Sequence, residues 1–194
     1  VIDLGANVDC RPAQLLSFAV IGDVFARQFW GIERPRVAML SVGSESGKGN
    51  KLVKEATELI AKSGLNFIGN VEANDLPQSK ADVAVCDGFV GNVVMKLTEG
   101  LGETTEAFLR ERLQGKLPED ELGQLTQDLH ELGNVTETYG GGPLLGVNGV
   151  SVVGHGRARA DAILRAIDTA RRTVEIEFVP SLNAELARVR EAAG

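Results

Sequence analysis

"ADVAVCDGFVGN" occupies residues 81–92. A near-continuous apolar run ends at Asp87-Gly88, and apolar residues then return at helical spacing. Apolar side chains on both alternating positions fit a strand buried on both faces, as in a parallel sheet. The helical pattern that follows runs over 89–114, so the stretch reads as strand, tight turn, helix. The same unit recurs upstream. "RVAMLSV" (36–42) reads as a strand and "KLVKEATELIAKSG" (51–64) as an amphipathic helix closed by Gly64. "LNFIGN" (65–70) is a further strand. "VIDLG" at the start is strand-like, and Asp9 with Pro12 marks the start of a helix that is apolar on more than one face. Downstream, Gly115 and Pro118 interrupt the helical pattern and a polar helix follows over 118–133. A Gly-rich loop (139–149), a strand (150–156) and a last helix (159–178) complete the pass. This alternation implies an α/β fold with a mainly parallel sheet covered by helices.

The bulk properties narrow the function. Of 194 residues, 43% are hydrophobic and 24% charged, and the net charge is −7. An acidic chain is a poor nonspecific nucleic-acid binder, so no nucleic-acid partner is expected. No apolar run is long enough to cross a bilayer, and no signal-peptide pattern is present. Cys10 and Cys86 are the only cysteines, with no CxxC, and there are two histidines. No metal site is expected, and reduced, buried thiols of a cytosolic protein are the reading. The chain opens at Val1 inside a strand-like segment, as expected for a piece of a longer protein.

In parallel α/β folds ligands bind beyond the carboxyl ends of the strands. Four segments fall there: 41–50, 86–92, 139–149 and 154–156. "GSESGKGNK" (43–51) has the layout of a phosphate-cradling loop. A nucleotide P-loop needs four residues between its glycines and a hydroxyl after its lysine. Here three residues separate Gly43 from Gly47, and Gly49 follows Lys48. An anion site remains open, with Gly47 and Gly49 admitting close backbone approach and Lys48 supplying charge. A plain turn with a solvated lysine is the competing reading. Asp87 is either a helix cap or a group that orients a lysine or a substrate proton. Gly88 and Gly91 flank it, and Asn92 lies in the first helical turn as a donor. Gly140 and Gly141 belong to an ordered Gly-rich loop that leads into Pro143, Leu144 and Leu145. His155 stands between two glycines at a strand end, where a structural role competes with a catalytic one.

"DLGANVDCRP", "KGNKLVKEA", "NFIGNVEANDL", "ADVAVCDGFVGNVVMKLTEG", "YGGGPLLGVNGV" and "GHG", in this order, resemble the PlsX family of acyl-carrier-protein:phosphate acyltransferases. The match runs from near residue 1 to about residue 170. Two features depart from the family pattern. Ser44-Glu45-Ser46 keeps one acidic residue where two are common, and Arg157-Ala158-Arg159 follows His155-Gly156. The resemblance implies a three-layer αβα sandwich, similar to the folds of isocitrate- and isopropylmalate-type dehydrogenases and of phosphotransacetylases. It makes residues 1–194 the C-terminal portion of the acyltransferase domain, with a protruding helical hairpin at about 103–132 whose tip lies near Gln114–Pro118.

The reaction so implied moves a fatty acyl group from an acyl-carrier-protein thioester to inorganic phosphate, giving acyl phosphate for phospholipid synthesis, with no cofactor. Lys48, Asp87 and His155 are the implied catalytic residues. Gly47, Gly49, Asn50, Gly88, Gly91, Asn92, Gly140 and Gly141 are the implied phosphate and substrate contacts. Val90, Val93 and Leu144 are candidates for an acyl groove, with core packing as the competing role. The implied partners are acyl carrier protein, a second copy of the chain and a downstream glycerol-3-phosphate acyltransferase. Acyl carrier protein is acidic and would meet Arg157, Arg159, Arg165, Arg171 and Arg172. The implied location is cytoplasmic with peripheral membrane contact at the hairpin. Leu113 and Leu117 favour that contact and Glu119, Asp120 and Glu121 oppose it. Two alternatives stay open: a phosphotransacetylase-like enzyme using acyl-CoA, and a noncatalytic phosphate- or acyl-ligand-binding module.

Overall fold

The computed structural model describes residues 1–133, 140–154, 156 and 158–193, and they divide into two compact units. The first unit holds residues 1–93, 146–148 and 174–194. Its centre is β1 (Val37–Leu40), flanked in parallel by β2 (Phe67–Val71) and β3 (Val83–Val85). Ile2 adds a parallel bridge to Val85, so the N-terminal segment extends the sheet beyond β3. All residues of β1 and β3 are buried, as their unbroken apolar runs require. Arg36 fastens the amino ends of β1 and β3. Its side chain donates to Asp82 at 2.9 and 3.0 Å, and its backbone N–H donates to the same carboxylate at 2.7 Å.

Helix α1 (Pro12–Trp30) begins with Pro at its first position and ends at Gly31, whose φ of 68° suits a left-handed cap. It packs on β1, β3 and α2 (Lys51–Ala61), and α2 packs on β1 and β2. Gly22 lets α1 close on β3, because a Cβ there would collide with the Val83 side chain. The outer side of α1 is covered by a C-terminal helix, Phe178–Ala193. Phe25 and Phe29 stack at 4.3 Å, and the Phe178 ring meets them edge-on at 6.1 and 5.9 Å. A short 3-10 helix, Ala73–Gln78, follows β2.

The second unit holds residues 94–145 and 149–173. The boundary falls within α3 (Gly88–Leu113). Helix α4 (Glu119–Gly133) follows a turn in which the N–H groups of Lys116 and Leu117 return to the Leu113 carbonyl. β4 (Gly142–Pro143) and β5 (Val152–Val153) pair antiparallel, and α5 (Ala160–Glu175) follows. The C-terminal helix is α6.

The expected last helix over 159–178 is therefore two helices. Glu177, with φ of 51°, turns the chain, and Pro180 sits in the first turn of α6. The Gly-rich stretch read as a loop contributes β4, and among the described residues of 150–156 only β5 is strand. No described helix is long and apolar enough to cross a membrane.

Candidate active site

The carboxyl ends of β1 and β3 and the segment after Ile2 form one edge of the first sheet. Three loops leave that edge: 3–11, 41–50 and 86–87.

The loop after β1 turns at Glu45, whose carbonyl accepts the Lys48 N–H at 3.2 Å and the Asn70 Nδ2 at 3.2 Å. Gly49 has φ of 104°, and a Cβ there would sit 2.5 Å from Val53 Cγ1 and 3.0 Å from Ser41 Oγ. Only glycine satisfies both the dihedral and the space. Asn50 caps α2, its Oδ1 accepting the Val53 N–H at 2.9 Å. The Lys54 N–H returns to the Asn50 carbonyl at 3.1 Å. Among the described residues nothing accepts from the N–H groups of Lys51 and Leu52. The α2 start thus combines the positive end of the helix dipole, two N–H groups without acceptors and, two residues before its cap, the Lys48 side chain, while the Lys51 Nζ lies 3.7 Å from Glu55 Oε1. Gly47 supports the same loop with φ of 84°.

The start of α3 is built differently. Asp87 caps it, with Oδ1 accepting the Val90 N–H at 2.8 Å. The Gly88 N–H donates to the Asn7 carbonyl at 2.8 Å. Of the first three N–H groups of α3, only that of Phe89 lacks an acceptor among the described residues. Asp87 and Lys48 are not ion-paired with each other, so the capping role is the one this geometry gives Asp87. Gly88 and Gly91 are buried against the N-terminal loop. A Cβ on Gly88 would sit 2.8 Å from the Asn7 carbonyl oxygen, and one on Gly91 would overlap the Asp3 carbonyl. Backbone packing accounts for the small residues at both positions. The Asn92 side chain lies against Gly5, about where a Cβ on Gly5 would touch it at 3.6 Å.

The N-terminal loop, whose residues carry no role in the sequence reading, is closed by hydrogen bonds to Asp3. Asp3 Oδ1 accepts from the N–H groups of Gly5 and Ala6, both at 2.9 Å. Asp3 Oδ2 accepts from the Asn7 N–H and the Asn7 side chain, both at 2.8 Å. Burial acts to raise the Asp3 pKa, but the bonds from Asn7, Ala6 and Gly5 outweigh it and hold the carboxyl below its ordinary value. The readable signal was "DLGAN" itself, an acid followed by a glycine turn directly after a strand. Cys86, beneath this loop, is buried, and burial pushes its thiol up to about 12.

Gly140 and Gly141 lie in the second unit. A Cβ on Gly140 would collide with the α5 backbone at Ala162 and Ala166, and one on Gly141 with the Val153 carbonyl. His155 and Arg157 lie outside the described residues. Val90, Val93 and Leu144 are exposed, as is Phe89, so core packing does not occupy them. Two of the arginines expected to form a basic patch are paired on their own helix, Arg165 with Asp161 at 2.9 Å and Arg171 with Asp168 at 2.6 Å. Among the described residues no cluster of three His, Cys, Asp or Glu is arranged to hold a metal.

Comparison with known proteins gives the family of the chain. Residues 1–180 match the family described as "Fatty acid synthesis protein". A phosphate acyltransferase of Desulforamulus reducens is 44% identical over 191 residues, covering 96% of this chain and 56% of the relative. One from Desulfitobacterium hafniense is 42% identical over 197 residues, covering 99% and 59%. One from Nitratidesulfovibrio vulgaris is 46% identical over 181 residues, covering 90% and 52%. The chain spans little more than half the length of these curated relatives. With the family match covering nearly all of it, the chain belongs to the fatty acid synthesis protein family, the PlsX family that its motifs resemble.

Proposed function

We propose that residues 1–194 are the C-terminal portion of a phosphate acyltransferase that transfers a fatty acyl group from acyl carrier protein to inorganic phosphate. The open start of α2 beside Lys48, in a chain of this family, carries the reading. Phosphate is a competent nucleophile at neutral pH, so the protein has only to hold it, orient the thioester and stabilise the developing oxyanion. A phosphate oxygen attacks the thioester carbonyl carbon, a C–O bond forms and the C–S bond breaks. The acyl phosphate leaves with the new C–O bond; the attacking phosphate gives up one proton and the departing thiolate takes up one, so the exchange balances.

Lys48, Lys51 and the N–H groups of Lys51 and Leu52 hold the phosphate, with Gly47, Gly49 and Asn50 shaping the loop. Asn92 donates to phosphate or to the thioester oxygen. Asp87 takes up the phosphate proton while capping α3, and His155 returns a proton to the thiolate. Gly140 and Gly141 shape the second loop. Phe89, Val90 and Val93, exposed on the first turns of α3, receive the acyl chain. The complete enzyme is an αβα sandwich of the phosphotransacetylase and isopropylmalate-dehydrogenase kind. Its hairpin (103–132) serves dimerisation and peripheral membrane contact in the cytoplasm, where a glycerol-3-phosphate acyltransferase consumes the product.

The test is acyl phosphate capture by hydroxylamine, using the full-length protein with phosphate and matched acyl-carrier-protein and acyl-CoA thioesters. Product from the carrier-protein thioester, formed by Lys48→Ala only at a much higher phosphate concentration, supports the reading. Product from acyl-CoA alone replaces it with the phosphotransacetylase alternative, and no product from either thioester refutes it.

A further inference from the structure

The register between β1 and β2 slips near the candidate site. Val37 pairs with Phe67, but Met39 pairs with Asn70, so β2 carries one extra residue. Gly69 takes up the difference with φ of 94°, a region that glycine enters freely. A bulge of this kind re-aims the side chain beside it. In unbroken register Asn70 would oppose Leu40, on the other face of the sheet from Met39 and Ser41. The bulge turns it to their face, towards the loop that follows β1.

There the Asn70 Nδ2 donates to the Glu45 carbonyl across 25 residues of sequence. The Lys48 N–H donates to that same carbonyl. A flipped amide would set two oxygens against each other, so the contact fixes which way the amide points. The Asn70 Oδ1 and the Ser41 Oγ are buried and have no partner among the described residues. The Glu45 contact is therefore what anchors this side chain, and it joins the sheet to the turn that carries Lys48.

We propose that Asn70 is a positioning residue for Lys48: aimed by the Gly69 bulge, it fixes the Glu45 turn against β2 and so places Lys48 at the start of α2. The inference rests on the reading of Lys48 as part of the phosphate seat. It assigns a role to "NFIGN", which the mechanism otherwise leaves unused.

The test uses full-length protein carrying Asn70→Ala, Asn70→Asp or Lys48→Ala. Asn70→Asp is nearly isosteric but turns an oxygen towards the Glu45 carbonyl, and it stands in should the alanine variant fail to fold. Hydrogen exchange of a peptide covering 43–50 is expected to quicken about fivefold in both Asn70 variants, as loss of one hydrogen bond implies. The peptide covering 12–30 should be unchanged. The KM for phosphate should rise about fivefold with the KM for the acyl donor unmoved. Unchanged exchange of 43–50 overturns the inference whatever the kinetics. So does quickened exchange with a phosphate KM that moves in Lys48→Ala but not in the Asn70 variants. Quickened exchange with a phosphate KM that moves in none of the three supports the Asn70 anchor and overturns the phosphate reading of Lys48 instead.

Discussion

Replacing Asp87 by Asn and by Ala separates its two roles. The Asp87 Oδ1 accepts the Val90 N–H at 2.8 Å. Asn keeps an oxygen at that point and loses only the charge, which is worth about 0.3–1 kcal/mol at a helix start. Ala loses the cap as well, at a further cost of about 1 kcal/mol. In a domain of about 150–250 residues each kcal/mol lowers Tm by about 2–4 °C, and these figures are the upper bound for a longer protein. Asp87→Asn should thus melt about 1–4 °C below the native protein and Asp87→Ala about 3–8 °C below it. Proton transfer by a placed side chain contributes about a hundredfold or more. If Asp87 takes the phosphate proton, both variants lose about that factor in kcat although their stabilities differ. The assays are differential scanning calorimetry and acyl phosphate formation on the full-length protein. Native kcat in Asp87→Asn would reduce Asp87 to a cap and refute the proton role. Equal melting of all three proteins would refute the cap.

Phe178→Ala should destabilise the fold by about 3–5 kcal/mol, because this ring is 1% exposed and seats α6 on α1; urea denaturation measures it. Asp3 has a folded pKa below its unfolded value, so its contribution is complete above the unfolded pKa and is lost as pH falls through the folded one. Urea midpoints between pH 5 and pH 3 should therefore fall more steeply in the native protein than in Asp3→Asn, and parallel slopes would contradict the hydrogen-bond count. Cys86, held at about 12 by burial, should resist a thiol reagent at pH 8 and react only on unfolding. Rapid labelling of Cys86 in the folded protein would show that the loop above it opens.

The α/β alternation was legible because each strand is short and apolar and each early helix has a recognisable start. Pro12 and Asn50 stand at the starts of α1 and α2 as their chemistry demands. The α5–α6 junction was not legible, since the turning residue is Glu177 and no glycine marks it. Gly88 and Gly91 show a deeper limit. Sequence identifies places where a side chain is not tolerated, but not whether a ligand or another backbone occupies the space. Here the occupant is the loop at Asp3–Asn7, and only the sheet order brings it there. Asp87 was left between cap and catalyst, and the structure supplies the cap bond. The role of Asn70 was hidden because a one-residue slip in register has no sequence mark beyond a single glycine.

The contact of Gly88 and Gly91 with the N-terminal loop also orders events during folding. An isolated α3 can form its middle turns from local contacts, but its first N–H is satisfied only when Asn7 arrives from far earlier in the chain. Closing so long a loop carries an entropy cost that must be met before the contact returns any stability. Completion of the Asp87–Asn92 turn therefore waits on the docking of the Asp3–Asn7 loop. A chain whose N-terminal strand has not docked would hold a largely helical α3 with an unfinished first turn.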